Sequence, residues 1–166
     1  ADNFYKNLFE YNDNAKKNLL RLFNNRKYKI TMSDINNSFN LENLKVIYTF
    51  ENKKYVHPYY FMKTLSEKMN SEDIIVGDCG GCSVLVGHAL KTKHGQYYHS
   101  NNSHAPMGFS FSAAIGSAFA TNKRVVCLTG DGGFNMNLQE LQTLKNYEIN
   151  NLKTFIINNH IYGITK

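Results

Sequence analysis

The sequence predicts an α/β domain built on a doubly wound parallel sheet, and three observations carry that prediction. From residue 58 onward, short apolar runs of strand length alternate with helix-length segments. The runs at residues 73–76, 124–129 and 152–157 end in clusters of Gly, Asp or Asn. The last two runs flank one helix-length segment, and such strand–helix–strand crossovers are nearly always right-handed with parallel strands.

Residues 1–57 differ from the rest, being rich in Asn and Lys and poor in Gly. Leu19, Leu22 and Phe23 give residues 15–23 the apolar face of an amphipathic helix. Residues 45–50 and 54–57 are suited to pair as a hairpin around Glu51 and Asn52. No chemistry is legible there, and the segment reads as a linker or the tail of a preceding domain. The α/β domain is assigned to residues 58–166. Pro58 suits the first turn of a helix, which is expected to run to about Met69 with Phe61, Leu65 and Met69 on one face. Residues 73–76 form a short strand leading into Gly77-Asp78-Cys79-Gly80-Gly81. Residues 82–90 are expected as a short helix and 96–99 as another strand. Residues 108–120 are a helix of small residues, in which Ala113, Gly116 and Ala120 would permit close approach to a neighbour.

Residues 124–129, Arg-Val-Val-Cys-Leu-Thr, read as a buried strand. The chain then turns through Gly130-Asp131-Gly132-Gly133, where glycines let a ligand approach main-chain N–H groups. Asn137 and Glu140 have the spacing of a capping box. Leu138, Leu141 and Leu144 supply an apolar stripe to the helix that follows. Residues 152–157 are a second buried strand, ending in Asn158-Asn159. Both polar clusters therefore fall at the carboxyl edge of one parallel sheet, where open α/β sheets bind ligands. A carboxylate and an amide oxygen converging there suit magnesium, which favours oxygen ligands and phosphate. Glycine N–H groups and a helix N-terminus suit the phosphate itself. Gly-Asp and Asn-Asn are each common turn formers, so it is their combination, one helix apart at strand ends, that points to a cation–diphosphate site.

Composition bounds the rest. With 166 residues, 42% hydrophobic and 13% aromatic, the chain is one domain, or one domain with an appendage, and can bury a sizeable core. It has no apolar run long enough to span a membrane and does not open on a signal-peptide pattern, so a cytoplasmic protein without membrane association is expected. The net charge of +6 comes from scattered basic residues, concentrated in the first half. They read as solvated surface, and no nucleic-acid partner is expected.

The segment from about Val56 to Lys166 resembles the diphosphate-binding domain of thiamine diphosphate enzymes, and within them the large catalytic subunit of acetolactate synthase. Three stretches carry the resemblance: Ile-Ile-Val-Gly-Asp-Cys-Gly at residues 74–80, Met107-Gly108-Phe109 followed by Ala113-Ala114-Ile115-Gly116, and Gly-Asp-Gly-Gly-Phe-Asn-Met-Asn-Leu-Gln-Glu-Leu at 130–141. It implies the thiamine diphosphate-binding fold, here truncated at the C-terminus. It also implies that Asp131 and Asn158 ligate magnesium through side-chain oxygens, and His160 through its backbone carbonyl. Gly130, Gly132 and Gly133 would hold the diphosphate, with Gly80, Gly81, Cys82 and Ser83 contacting it from the first strand. Met107 would be the apolar wedge that bends the cofactor, and the Ala105 carbonyl would accept from its pyrimidine amino group. The reaction implied is decarboxylation of a 2-keto acid with carboligation, or simple decarboxylation. FAD is a further cofactor in acetolactate synthases, held largely on a domain with no counterpart here. The activating glutamate of the family lies on a pyrimidine-binding domain, which no segment of this chain matches. No catalytic residue is therefore assigned, and the chain alone is expected to be inactive. A pyrimidine-binding domain of the same or a second subunit is the expected partner, within a homo-oligomer.

The sequence departs from the family at several points. Ser110 and Ser112 stand where Gly and Pro are usual, Cys82-Ser83 replaces His-Gln, and Tyr162 replaces a common Leu. His88, His94, His99 and His104 lack ligand-like spacing and read as surface or loop residues; His104, beside the wedge loop, is the one placed to face substrate. Two alternatives stay open. Cys79-Gly80-Gly81-Cys82, after a strand and opening a helix, matches the placement of a thioredoxin-like redox pair or half a metal site. The chain also fits a non-catalytic, regulatory relative of thiamine enzymes.

Overall fold

The computed structural model describes residues 47–50 and 53–162. The helix expected at residues 15–23 lies outside these. The expected hairpin is present as an antiparallel pair, β1 (Ile47–Phe50) and β2 (Lys53–Val56), with Ile47 opposite Val56. Then follow α1 (Pro58–Lys68), β3 (Ile74–Gly77), α2 (Gly80–Ala89), β4 (Tyr97–Ser100), α3 (Phe109–Ala120) and β5 (Val125–Gly130). The described chain closes with α4 (Asp131–Met136), a 3₁₀ turn (Leu138–Glu140), α5 (Leu141–Asn146) and β6 (Leu152–Ile157). Among the described residues no helix is long and apolar enough to cross a membrane.

The sheet has the order β4-β3-β5-β6, and every pairing is parallel. The period-2 alternation of the strands sorts the core into two layers, so the sheet is doubly wound as expected. On one face Ile75, Val126 and Leu128 pack with Met62 and Leu65 of α1 and Val86 of α2. On the other, Val76, Val125 and Cys127 pack with Phe111, Ala114, Ile115 and Ala118 of α3. Each large side chain removed from water here contributes about 1.5–3 kcal/mol. From β3 the chain turns one way to β4, and from β5 the other way to β6, so the strand order reverses between β3 and β5. The carboxyl ends of those two strands border the crevice that open α/β sheets use for ligands.

At the opposite edge an ion pair joins the same strands. Arg124 donates to both carboxylate oxygens of Asp73, at 3.0 and 2.5 Å. Asp73 is buried, so this bidentate pair fixes the amino end of β3 against β5.

Four helix expectations are corrected in whole or in part. The inner face of α1 is Met62, Leu65 and Ser66, with Met69 beyond its end, while Phe61 lies at the margin against Phe155. In α3, Ala114 and Ala118 approach the sheet and Ala113 packs at the margin of the same cluster, as expected of it, whereas Gly116 and Ala120 face outward. The predicted capping box does not form. Asn137 donates its amide to Gly108 O at 2.8 Å, and Glu140 accepts from Thr143 Oγ1. Leu138 and Leu141 are each 46% exposed, so of the predicted stripe only Leu144 packs on the core. β6, expected as a buried strand, is only half-buried, because among the described residues it pairs on one side.

Candidate functional site

The predicted polar clusters meet at the carboxyl edge of β3, β5 and β6. Gly130 ends β5, and the chain enters α4 at once, so the predicted Gly130–Gly133 turn is instead the first turn of a helix. Asp131 lies in that first turn, where a carboxylate is favoured by the helix dipole. Asn135 follows one turn later on the same face. Asp131, Gly132, Asn135, His160, Ile161 and Tyr162 line a cleft of about 280 Å³. Asn135 was missed by sequence reasoning, because its spacing from Asp131 signals only once α4 is known to be a helix.

The loop after β6 is tightened by two Asx turns. Asn158 Oδ1 accepts from His160 N at 3.0 Å, and Asn159 Oδ1 from Ile161 N at 3.1 Å. They hold His160 in left-handed backbone, at φ 56°. Asn158 keeps a second lone pair on the same oxygen. Of the predicted metal-binding residues, Asp131 and His160 share the cleft, whereas Asn158, held in its Asx turn, is not among the lining residues. The carboxylate, amide and carbonyl oxygens that the three offer are the donor type a hard divalent cation takes. Among the described residues no group of three or more His, Cys, Asp and Glu side chains could hold a metal. His88 and His99 are instead surface residues, against Tyr59 and Phe109 respectively.

Met107 reaches the same place from the loop before α3. A Cβ on Gly132 would lie 2.9 Å from Met107 Cε and closer still to the ring of Tyr162. Gly132 is thus the point where the α4 turn, the Met107 loop and the chain after β6 converge. Ala105 is exposed, with φ 46°. A non-glycine residue in that region, and one preceding Pro106, carries backbone strain of about 1–2 kcal/mol. His104 is also exposed, with its N–H 3.4 Å from Asn101 Oδ1.

The first-strand loop supplies the remaining groups. α2 opens at Gly80 rather than at residue 82, and no side chain caps it. The N–H groups of its first turn therefore have no intrahelical partner, which is how helix N-termini bind anions. A Cβ on Gly81 or on Gly130 would meet nothing within 4 Å, so both backbones border open space. Ser83 Oγ is bonded to Asn102 Oδ1 at 3.0 Å, tying this loop to the one that carries Met107. The Cys82 side chain points into the core and is 5% exposed, so only its main chain can reach a phosphate.

The thiols run against the redox alternative. Burial pushes the Cys82 and Cys127 thiols up to about 12. Burial, and then the neighbouring Asp78, also raise Cys79. A redox pair at a helix N-terminus needs the opposite shift. In the folded chain at pH 8, Cys82 and Cys127 are expected to alkylate about a thousandfold more slowly than an ordinary thiol, following their thiolate fraction. Mass spectrometry of timed iodoacetamide reactions checks this, and rapid labelling of Cys82 would restore the redox reading.

Comparison with known proteins adds an independent line. The family described as thiamine pyrophosphate enzyme, C-terminal TPP binding domain, matches residues 78–166, more than half of the chain. The acetolactate synthase large subunit of Lactococcus lactis is 31% identical over 153 residues, covering 91% of this chain and 26% of that protein. A probable acetolactate synthase large subunit of Methanocaldococcus jannaschii is 39% identical over 103 residues, covering 58% of this chain and 17% of its own length. Isozyme 2 of Escherichia coli K12 is 29% identical over 106 residues, covering 63% of this chain. The chain thus spans about a quarter or less of the length of these relatives.

Proposed function

The chain belongs to the thiamine pyrophosphate enzymes through their C-terminal TPP-binding domain, and from that membership we propose that it anchors thiamine diphosphate through magnesium in an enzyme acting on 2-keto acids. The observation that carries the reading is the convergence of Asp131, Gly132 and His160 on one cleft at the carboxyl edge of the sheet. In this reading the Asp131 carboxylate, Asn158 Oδ1 and His160 carbonyl hold magnesium. Main-chain N–H groups of Gly132 and Gly133, and of the first turn of α2, bind the diphosphate oxygens. Met107 supports the cofactor from the apolar side, and the Ala105 carbonyl accepts from its amino group. When bound, the cofactor supplies a carbon nucleophile and an electron sink for decarboxylation and carboligation.

The lining of this cleft contains no glutamate, the residue type that the resemblance assigns to cofactor activation. The activating acid therefore comes from a pyrimidine-binding domain, of the same polypeptide or another subunit, and the chain alone is inactive. The similarity to acetolactate synthase large subunits favours a 2-keto acid as donor and a second keto acid as acceptor. Titration calorimetry on the chain assembled with its pyrimidine-binding partner tests this. Thiamine diphosphate is expected to bind with magnesium and to lose most of its affinity when the metal is chelated. Binding that ignores magnesium would overturn the reading.

A further inference from the structure

Asp78 takes no part in the proposed metal set, yet it is the most highly connected polar side chain at this edge of the sheet. It is 3% exposed. Its Oδ1 accepts from Cys79 N at 2.8 Å and Gly108 N at 3.2 Å. Its Oδ2 accepts from Ser110 Oγ at 2.7 Å and Thr129 Oγ1 at 2.8 Å. Four donors occupy about all the lone-pair sites a carboxylate has. A buried carboxylate in that condition has no free oxygen with which to ligate a cation.

The four donors come from three separate segments. Cys79 begins the loop into α2, Gly108 and Ser110 open α3 just after Met107, and Thr129 precedes the Gly130 motif. A fourth segment packs on the carboxylate directly, since a Cβ on Gly133 would lie 2.6 Å from Asp78 Oδ2. Asp78 is itself fixed to β5, its N–H donating to Leu128 O at 2.9 Å. One rigid carboxylate thus references the Met107 loop and the diphosphate loops to a common point.

We propose that Asp78 is a positioning residue, setting the spacing between the diphosphate anchor and the Met107 support through its bonds to Cys79, Gly108, Ser110 and Thr129. The ligand in this proposal rests on the cofactor reading above; the coupling of the three segments does not. The function of such coupling is selective. Thiamine diphosphate engages the anchor and the Met107 loop together, so it needs their spacing, whereas inorganic pyrophosphate engages the anchor alone.

The test compares Asp78→Asn with the unaltered chain, each assembled with the pyrimidine-binding partner. Asn keeps the size and one acceptor, and the Ser110 and Thr129 hydroxyls can rotate to accept from its amide. In the presence of magnesium, the affinity for thiamine diphosphate is expected to fall about tenfold or more, as for other residues that orient a ligand shell. The affinity for magnesium pyrophosphate is expected to stay within about twofold on the same grounds. Equal losses for both ligands, or no loss for either, would overturn the proposal. If the unaltered assembly binds neither ligand, the cofactor reading fails, and hydrogen exchange on the ligand-free chain decides the coupling. Asp78→Asn should speed exchange in residues 79–83, 105–109 and 130–134 together, with β3 and β5 still protected. Acceleration confined to 79–83 would refute it. Should Asp78→Asn fail to fold, Ser110→Ala and Thr129→Val, each removing one donor, are read by the same measurements against the same outcomes.

Discussion

Asp131→Ala is expected to lower the affinity for thiamine diphosphate in the presence of magnesium by about a hundredfold or more, a larger loss than that of an outer residue that merely orients a ligand. The carboxylate is the one charged group in the proposed set, and magnesium bound by few protein ligands depends heavily on each. The same substitution should hardly affect folding. Asp131 is half-buried in the first turn of α4, and its loss removes a helix-dipole interaction worth about 0.5 kcal/mol. Asp131→Asn keeps an oxygen but no charge, and should fall between. Calorimetry paired with a thermal melt separates the two quantities, and undiminished binding by Asp131→Ala would remove the metal assignment.

The largest loss of stability should come from Gly133→Ala. Gly133 is buried, and an added Cβ would stand 2.6 Å from Asp78 Oδ2 and 3.0 Å from Thr129 Oγ1. Neither neighbour can retreat without giving up a hydrogen bond to the other. Overpacking together with a broken buried network costs about 3 kcal/mol, or a melting temperature about 10 °C lower for a domain of this size. Gly81→Ala and Gly130→Ala, with nothing within 4 Å of the new Cβ, serve as controls that should melt near the unaltered chain. A Gly133→Ala melt within about 2 °C of them would show that the Asp78 network yields.

What the sequence revealed depended on how local the cause was. The strands at β3, β5 and β6 were legible because β-branched runs with polar ends need no partner to be recognised. That Asp131 and His160 share one cleft was likewise legible, since the β5–β6 pairing brings their segments to one edge. The errors arose where a distant contact overrode a local rule. Asn137 has the spacing to cap its own helix, but Gly108 O, 29 residues away, takes its amide. Gly132 and Gly133 read as turn formers, yet they are helical, and their lack of side chains serves the approach of Tyr162, Met107 and Asp78. The inner face of α3 could not be chosen among so many small residues until Val125 and Cys127 were placed beneath it. Asp78 was visible only as part of a turn, because its donors Gly108, Ser110 and Thr129 lie 30, 32 and 51 positions away.

The Asp73–Arg124 ion pair and the Asp78–Thr129 hydrogen bond have a kinetic implication. Both close a separation of 51 residues, and they lie at opposite ends of the β3–β5 pairing. The central strands therefore cannot dock until the whole intervening excursion through α2, β4 and α3 is available, and both latches form in the same event. Non-local parallel pairing of this kind makes for slow folding. On a ribosome, β3 can pair with β4 first, but its other edge stays open until residues 125–128 have emerged. An unpaired strand edge and exposed apolar surface are the features that make such a folding intermediate prone to aggregate.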